Sequence, residues 1–272
     1  MITKNERAFL YLLSRVTSVK RMQLVKLMFL ASKERSLYDF VPYRYGPFSF
    51  QLYNDMRHLE QQAYLTQTED EVHFTGKAFP KPYAYIQNTI DSVVNQFGSF
   101  REKDLVDYVY RQYPGMTIFS KIRQLKNYYR NETGIVTIGY EGRNIDRFLM
   151  LLVENKVGKL IDVRKNPFSM KYGYSKNQLM NVLERIGISY LHLPELGIES
   201  DQRQNLTEKK AAGLFRRYAQ ELGAKEDLLD TIKALAQKER VALMCFEADE
   251  SACHRGVIAQ RFREEELEVT AL

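Results

Sequence analysis

The segment from Cys245 to Arg255 concentrates residue types that could do chemistry, in the order Cys-Phe-Glu-Ala-Asp-Glu-Ser-Ala-Cys-His-Arg. Cys245 ends an apolar run and Glu247 follows it, which brings a thiol and a carboxylate to one predicted strand end. The next predicted helix begins near Cys253, with His254 and Arg255 in its first turn. Free N–H groups and the positive dipole end of a helix favour an anion. We therefore expect a pocket for a phosphate-bearing ligand or a carboxylate here.

Polar residues also follow the other predicted strands of the C-terminal half. They are Tyr140, Glu141 and Gly142 after the first strand, Asp162, Arg164, Pro167 and Lys171 around the second, and His192 and Glu195 after the third. Because ligands bind outside the carboxyl ends of parallel strands, we expect these residues to converge on the Cys245–Arg255 segment.

The candidate residues divide into two roles. The candidate catalytic groups are Glu141, Asp162, Cys245 and Glu247. The candidate ligand-binding residues are Tyr140, Gly142, Arg164, Pro167, Lys171, His192, Glu195, Cys253, His254 and Arg255. We expect Asp162 and Arg164 to face opposite sides of their strand and not to pair.

Several of these residues have a structural explanation as well. A cysteine on an apolar strand, such as Cys245, is more often a small core residue than a nucleophile. His192 fits a hydrogen-bonded structural histidine, and Asp162 could pin loop backbone. Zinc is disfavoured, because Cys245 and Cys253 lie eight positions apart and paired zinc ligands are usually about two to four residues apart. A disulfide between them is disfavoured in a reducing compartment. We predict no metal and no cofactor.

The pattern of apolar residues in 134–272 predicts the strands and helices that position these groups. Short apolar runs alternate with amphipathic stretches, which is typical of a mostly parallel sheet with flanking helices. The predicted strands are 135–140, 159–164, 188–193 and 241–246, with an edge strand at 267–269, and the predicted helices are 145–155, 176–186, 208–222, 226–238 and 253–263. The strands are apolar on consecutive positions, as strands covered on both faces are. We therefore predict an α/β domain.

The N-terminal half has a different pattern. Residues 1–83 predict three helices and then a hairpin, an order typical of a winged helix, which docks on DNA or on proteins. The predicted helices are 5–15, 21–32 and 49–62, and the predicted strands are 64–66 and 72–75. Residues 84–133 predict a helical extension or linker that ends in a helix over 119–129, where basic and aromatic residues interleave.

Charge and composition narrow the class of partner. Residues 1–133 hold 19 Lys and Arg against 13 Asp and Glu, and residues 134–272 hold 21 of each, so the whole formal excess of +6 lies in the first part. This imbalance fits DNA or RNA as the partner of the N-terminal half, and it fits drift in surface charge equally well. The two cysteines, the polar start and the lack of a long apolar run predict a soluble cytoplasmic protein without a membrane partner.

The C-terminal half resembles the family called domain of unknown function 488, over roughly residues 135–262. The similarity rests on four motifs in order, namely 137–142, 160–164 with Pro167 and Ser169, 187–197, and 243–247 with 253–255. It implies an α/β fold and a pocket, without a reaction. The N-terminal half more loosely resembles winged-helix modules with a Tyr-Gly-Pro turn, here residues 45–47.

Two other families share pieces of this pattern. Residues 160–164 are similar to a rhodanese strand, and Cys245 followed by Arg255 is similar to the anion loop of rhodaneses and cysteine phosphatases. Their loop is short, whereas nine residues separate Cys245 from Arg255 here. We expect the carboxylates of this segment, Glu247, Asp249 and Glu250, to raise the pKa of a thiol and to repel an anion.

Three functions follow as hypotheses. The leading one is a nucleic-acid-associated protein, whose basic N-terminal half docks on DNA or RNA while the α/β domain binds or processes a nucleotide or phosphate-bearing group. The second is a cysteine-dependent sulfur- or phosphate-transfer enzyme. The third is a non-catalytic module of a bacterial defence or regulatory complex, whose N-terminal half binds a protein partner.

Overall fold

The computed structural model describes residues 2–199, 202 and 208–272, and the side chains of all of these except 208–211. The chain forms two compact units, Met1–Tyr128 and Tyr129–Leu272. Within the described residues, no helix combines the length and the apolar surface that crossing a bilayer requires.

The first unit is mainly helical. Its elements are α1 (Lys4–Val16), β1 (Ser18–Lys20), α2 (Arg21–Glu34), β2 (Val41–Tyr43), β3 (Gly46–Phe48), α3 (Phe50–Gln61), β4 (Leu65–Gln67), β5 (Glu71–Phe74), α4 (Ala84–Phe97) and α5 (Glu102–Gln112). Helix α1 begins at a capping box, in which the Thr3 hydroxyl accepts from the Glu6 amide and the Glu6 carboxylate accepts from the Thr3 amide. Helices α4 and α5 pack on α1 and α2.

Two small antiparallel sheets complete this unit. The predicted hairpin is confirmed as β4 and β5, and β1 adds to β5 as a third strand. Strands β2 and β3 pair through a turn at residues 44–45, directly before Gly46, which has a φ of +86°. A side chain there would also meet the Tyr110 ring at 2.6 Å, so the turn and its close approach both require glycine.

The helix predicted over 119–129 is wrong. A 3-10 turn at Pro114–Thr117 is followed by irregular chain through that range. Here the Thr117 hydroxyl accepts from the Leu125 amide, and the Ser120 hydroxyl accepts from the Ile122 amide. Such local bonds between side chains and backbone compete with a helix, and sequence periodicity does not reveal them.

The second unit is the predicted α/β domain, and that prediction is confirmed. Its elements are β6 (Gly134–Gly139), α6 (Ile145–Glu154), β7 (Lys159–Asp162), α7 (Lys176–Arg185), β8 (Ser189–His192), α8 (Glu208–Leu222), α9 (Glu226–Ala236), β9 (Arg240–Cys245), α10 (His254–Glu264) and β10 (Val269–Ala271). The five strands are all parallel, in the order β10-β6-β9-β7-β8. Strands β6 and β9 are buried almost throughout, which explains their continuous apolar sequence.

The register of this sheet brings the carboxyl ends of four strands to one level. Gly139 lies beside Cys245, and Asp162 lies between Met244 and His192. A Cβ at Gly139 would stand 1.8 Å from the Glu247 carbonyl oxygen, so glycine lets the chain after β9 fold over the end of β6.

Candidate functional site

Asp162 and Arg164 form a buried ion pair at the end of β7. Arg164 Nε donates to Asp162 Oδ1 at 2.8 Å and Nη2 donates to Oδ2 at 2.6 Å, with the two side chains 3% and 0% exposed. The expectation that they do not pair is therefore wrong. Residues two positions apart on extended chain point to the same side, so alternation itself places the carboxylate and the guanidinium together.

Three tyrosines make further hydrogen bonds with this ion pair. Arg164 Nη1 donates to the Tyr140 hydroxyl at 3.1 Å and Nη2 to the Tyr174 carbonyl at 3.0 Å, while the Tyr190 hydroxyl donates to Asp162 at 2.8 Å. Burial lowers the pKa of Arg164, but the hydrogen bonds and the negative charge of Asp162, together with Tyr140, outweigh burial and raise the pKa. Arg164 is thus a charged structural group with all three side-chain nitrogens hydrogen-bonded, and the anion that it faces is Asp162 instead of the ligand that we expected.

Arg255 holds the chain between β9 and α10, which we call the covering segment (residues 246–252). Its Nη1 donates to the Glu247 carbonyl at 2.6 Å and its Nη2 to the Ala248 carbonyl at 3.0 Å. Glu141 accepts from the Ala248 amide at 3.0 Å, so it anchors the same chain from the β6 side. Two predicted site residues, Arg255 and Glu141, therefore position the covering segment.

Beneath the covering segment, Cys245, Cys253 and His254 form a buried cluster. Their three ligand atoms lie within 4.8 Å of one another, and both cysteines are free thiols. His254 Nε2 lies 3.0 Å from the Val163 carbonyl, which can only accept, so this nitrogen carries the proton. In the neutral ring the Nδ1 lone pair then faces Cys245 Sγ at 3.8 Å and Cys253 Sγ at 3.9 Å.

The two thiols differ in acidity. The hydrogen bond with Cys253, and then the contact with His254, lower the pKa of Cys245 against the opposing effect of burial. Burial and the neighbouring Cys245 raise the pKa of Cys253. Glu247, whose carboxylate accepts from Cys245 Sγ at 3.3 Å, acts to raise the pKa of Cys245, as we expected, but the net direction is downward. Cys245 is therefore the group that becomes a thiolate first.

The same cluster has the donor atoms of a metal site. Two thiolates and one imidazole nitrogen suit a thiophilic divalent cation such as Zn²⁺, with a fourth position left for water or another ligand. The sequence spacing disfavoured zinc because eight positions separate Cys245 from Cys253. The fold shortens that separation, because the covering segment turns back and places Cys253 directly before α10.

Of the five other predicted residues, four make bonds or turns at or after the ends of β6, β7 and β8, and one lies apart. Lys171 donates to the Tyr140 carbonyl at 3.1 Å, and burial lowers its pKa. His192 Nε2 lies 2.9 Å from the Arg164 carbonyl, and the Pro167 carbonyl accepts from the Lys176 amide. Gly142 turns the chain after β6 with a φ of +72°. Glu195 is exposed on the 3-10 turn Pro194–Leu196, outside this network of bonds.

Four contacts of the candidate site were not predicted from the sequence. Tyr174 and Tyr190 bond the ion pair, the Tyr218 ring meets the His254 ring edge-on at 5.7 Å, and Glu250 bonds Arg263 at 2.7 Å. One signal could have found Tyr190, which precedes His192 by two positions and so shares its side of β8. The others come from loops and helices, where spacing gives no direction.

The fold and the site define a class: an α/β domain whose parallel strands end at a buried dithiol and histidine. The family model described as "Domain of unknown function DUF488" matches residues 144–262. This confirms the resemblance of the C-terminal half, which includes β7, β9 and the cluster. Among curated proteins, none matches the chain.

Proposed function

We propose that the C-terminal unit is a cysteine-dependent transfer enzyme, with Cys245 as nucleophile and His254 as its base. The observation that carries this proposal is the orientation of His254, whose Nδ1 faces Cys245 Sγ at 3.8 Å while Nε2 is held by Val163. A nucleophile beside a base that a third group orients is the pattern of activated thiols. The lowered pKa of Cys245 fits this role, since the thiolate is the reactive form.

Sulfur transfer fits this site better than phosphate transfer. The Glu247 carboxylate lies 3.3 Å from Cys245 Sγ, where it would repel a phosphate dianion more strongly than a singly charged sulfur donor. In the proposed reaction, the Cys245 thiolate attacks the outer sulfur of a singly charged sulfane donor such as an organic thiosulfonate. The donor's sulfur–sulfur bond breaks, a sulfinate leaves with the electron pair, and Cys245 holds a persulfide. An acceptor nucleophile then takes the outer sulfur and restores the thiolate.

Access to the thiols is part of this proposal. Cys245 and Cys253 are 0% and 2% exposed, beneath the covering segment. Phe246, Ala248, Asp249, Ser251 and Ala252 of that segment are exposed. We propose that the segment opens to admit a small donor, while the Asp162–Arg164 pair keeps the end of β7 in place.

The test is transfer of sulfur from methanethiosulfonate to cyanide, followed as thiocyanate, with the persulfide detected by mass spectrometry. We expect Cys245→Ser to abolish both signals and His254→Asn to slow transfer at least about 100-fold, as loss of a base does. His73→Asn, in the other unit, is the matched histidine control. Full turnover by Cys245→Ser would refute the proposal, and so would the absence of any persulfide on the wild-type protein.

The N-terminal unit carries a second candidate function: we propose that it docks on DNA or RNA as a winged-helix-like module. Two observations support this: the formal excess of +6 within residues 1–133, and the order α1, α2, α3 followed by the β4–β5 hairpin. Phosphate contacts would make binding fall steeply with salt. A phosphate-bearing ligand of the C-terminal unit stays a prediction.

This second candidate is tested by binding of the full chain to labelled duplex DNA and to RNA across a salt series. We expect a linear fall of the logarithm of affinity with that of salt. The triple variant Lys121→Gln, Arg123→Gln, Lys126→Gln should flatten the slope, because up to three phosphate contacts are lost. Binding that ignores salt, or no binding at low salt, would contradict docking on nucleic acid and favour a protein partner for this unit.

A further inference from the structure

The first unit contains a cavity that neither candidate function uses. It has a volume of about 440 Å³ and lies between the start of α2, the β2–β3 hairpin and the turn before β5. Small-molecule sites commonly have volumes of about 300–1,000 Å³. Its walls include Arg21, Lys26, Tyr43, Arg44, Phe48 and Tyr53. We call it the α2–hairpin cavity.

Two cations of the α2–hairpin cavity have buried nitrogen atoms that can donate further hydrogen bonds. Lys26 is 2% exposed, and among the described residues its ammonium donates to the Tyr45 carbonyl, at 2.5 Å. An ammonium has three donors, so two remain. Arg21 Nε is also buried, and no described residue accepts from it. Buried donors without acceptors cost free energy, so this wall is suited to a ligand that supplies oxygen atoms.

The charges that face the cavity set the charge of that ligand. The cations are Lys20, Arg21, Lys26 and Arg44, and the anions are Glu69, Asp70 and Glu102. The ionisable hydroxyls are those of Tyr43, Tyr45 and Tyr53. Cations exceed anions by one, which balances a single negative charge. A phosphate dianion would leave excess negative charge beside three carboxylates, so a carboxylate fits better.

Aromatic rings also line the cavity. The rings of Phe48 and Tyr53 stack with centroids 4.4 Å apart, and the Tyr43 ring meets Phe48 at 5.0 Å. Such faces and edges accept another flat ring at similar distances. A cavity lined by both cations and aromatic rings suits a ligand with an anionic end and a flat apolar body.

We propose that the α2–hairpin cavity binds a small monocarboxylate that carries an aromatic ring. Its carboxylate accepts from Lys26 and Arg21, and its ring packs against Phe48 and Tyr43. This site lies in the first unit, so it is independent of the thiol chemistry proposed for the second. It gives the N-terminal unit a means of sensing a metabolite.

A dependence on pH follows from the burial of Lys26. Burial lowers the pKa of Lys26 to about 7, with Glu102 opposing that effect. A bound carboxylate favours the charged amine, so binding takes up a proton when the free amine is neutral. Affinity is therefore greatest below about pH 7 and falls by up to about tenfold for each pH unit above it.

Calorimetric titration of the full chain with phenylacetate tests the proposal, with adenosine monophosphate and phenethylamine as comparison probes. We expect saturable binding of phenylacetate at pH 6.5 and weaker binding at pH 8.5. Lys26→Met should reduce the affinity at least about tenfold, since a charged hydrogen bond is lost. Lys33→Met, at the exposed end of the same helix, should change it less than about twofold.

Circular dichroism of each variant shows whether the fold is kept, and Phe48→Leu provides a second test at the aromatic wall if Lys26→Met does not fold. Phe48→Leu should also weaken phenylacetate. The proposal is overturned if phenylacetate does not saturate the protein at about 10 mM. It is equally overturned if the nucleotide or the amine binds more tightly, or if both cavity variants keep the wild-type affinity.

Discussion

Replacing Asp162 by Asn tests whether the buried ion pair holds the strand ends together. The substitution keeps the size of the side chain but removes its charge, so Arg164 is left charged in a site where it is 3% exposed. The Asn amide also presents donors where Arg164 and Tyr190 already donate to Asp162. Both changes leave buried donors without an acceptor.

The size of this effect follows from burial. Removing one partner of a buried ion pair costs about 3–5 kcal/mol, because the other charge stays desolvated. For a unit of this size, we expect the midpoint of thermal unfolding to fall by roughly 10–15 °C. The exposed pair of Lys165 and Glu199 provides the control, since its side chains are 40% and 59% exposed. Glu199→Gln should cost less than about 1 kcal/mol.

Amide hydrogen exchange with peptide resolution is the suitable assay, because it reports on the two units separately. In Asp162→Asn, protection should fall in peptides that contain β7, β8 and β9, while peptides from α1 and α2 keep wild-type rates. If Asp162→Asn and Glu199→Gln change exchange equally little, the ion pair does not stabilise the strand ends, and our account of Arg164 as a structural group fails.

Three further predictions concern the thiol cluster. Iodoacetamide should alkylate Cys245 at a lower pH than an ordinary cysteine, because its lowered pKa yields thiolate earlier as pH rises. In His254→Asn the pH profile of the alkylation rate should move to higher pH. An unmoved profile would contradict the contact between His254 and Cys245. Zn²⁺ should protect Cys245 and Cys253 from alkylation, and this protection should be lost in His254→Asn. Equal protection of the wild-type protein and the variant would exclude a zinc site that the two cysteines share with His254. Gly139→Ala should lower the midpoint of unfolding by several degrees, since its Cβ would stand 1.8 Å from the Glu247 carbonyl; a wild-type midpoint would mean that the covering segment shifts freely.

The sheet was predictable because burial on both faces leaves a clear trace in sequence. Strands β6 and β9 have continuous apolar runs, and that pattern depends on local burial alone. The helix predicted over residues 119–129 was wrong for the opposite reason, because side-chain bonds decide the structure there. The periodicity of this range fits a helix, but hydroxyls at Thr117 and Ser120 capture backbone amides that a helix would need.

For the candidate site, it was easier to predict which residues come together than which of them bond each other. The topology rule brought Asp162, Arg164, Cys245 and Arg255 to one sheet edge, because carboxyl ends of parallel strands meet there. Which groups bond each other depends on side-chain direction and on the path of the loops. The distance along the chain gave a wrong expectation for Cys245 and Cys253. They are eight positions apart in sequence, but the covering segment folds back and brings their sulfur atoms together.

The partners of the charged residues explain why we place the chemistry on sulfur. A phosphate receptor needs cations with several free donors, yet Arg164 is bonded to Asp162 and to two tyrosines, and Arg255 binds backbone carbonyls through both of its terminal nitrogens, so that only its buried Nε lacks an acceptor among the described residues. These bonds fix the strand end and the covering segment around the cluster. His254 is different, because one nitrogen is anchored and the other faces two thiols. Preorganised groups of this kind lower the cost of reaching a reactive geometry. The charges therefore build the site, and the thiols are the groups in it that are poised to react.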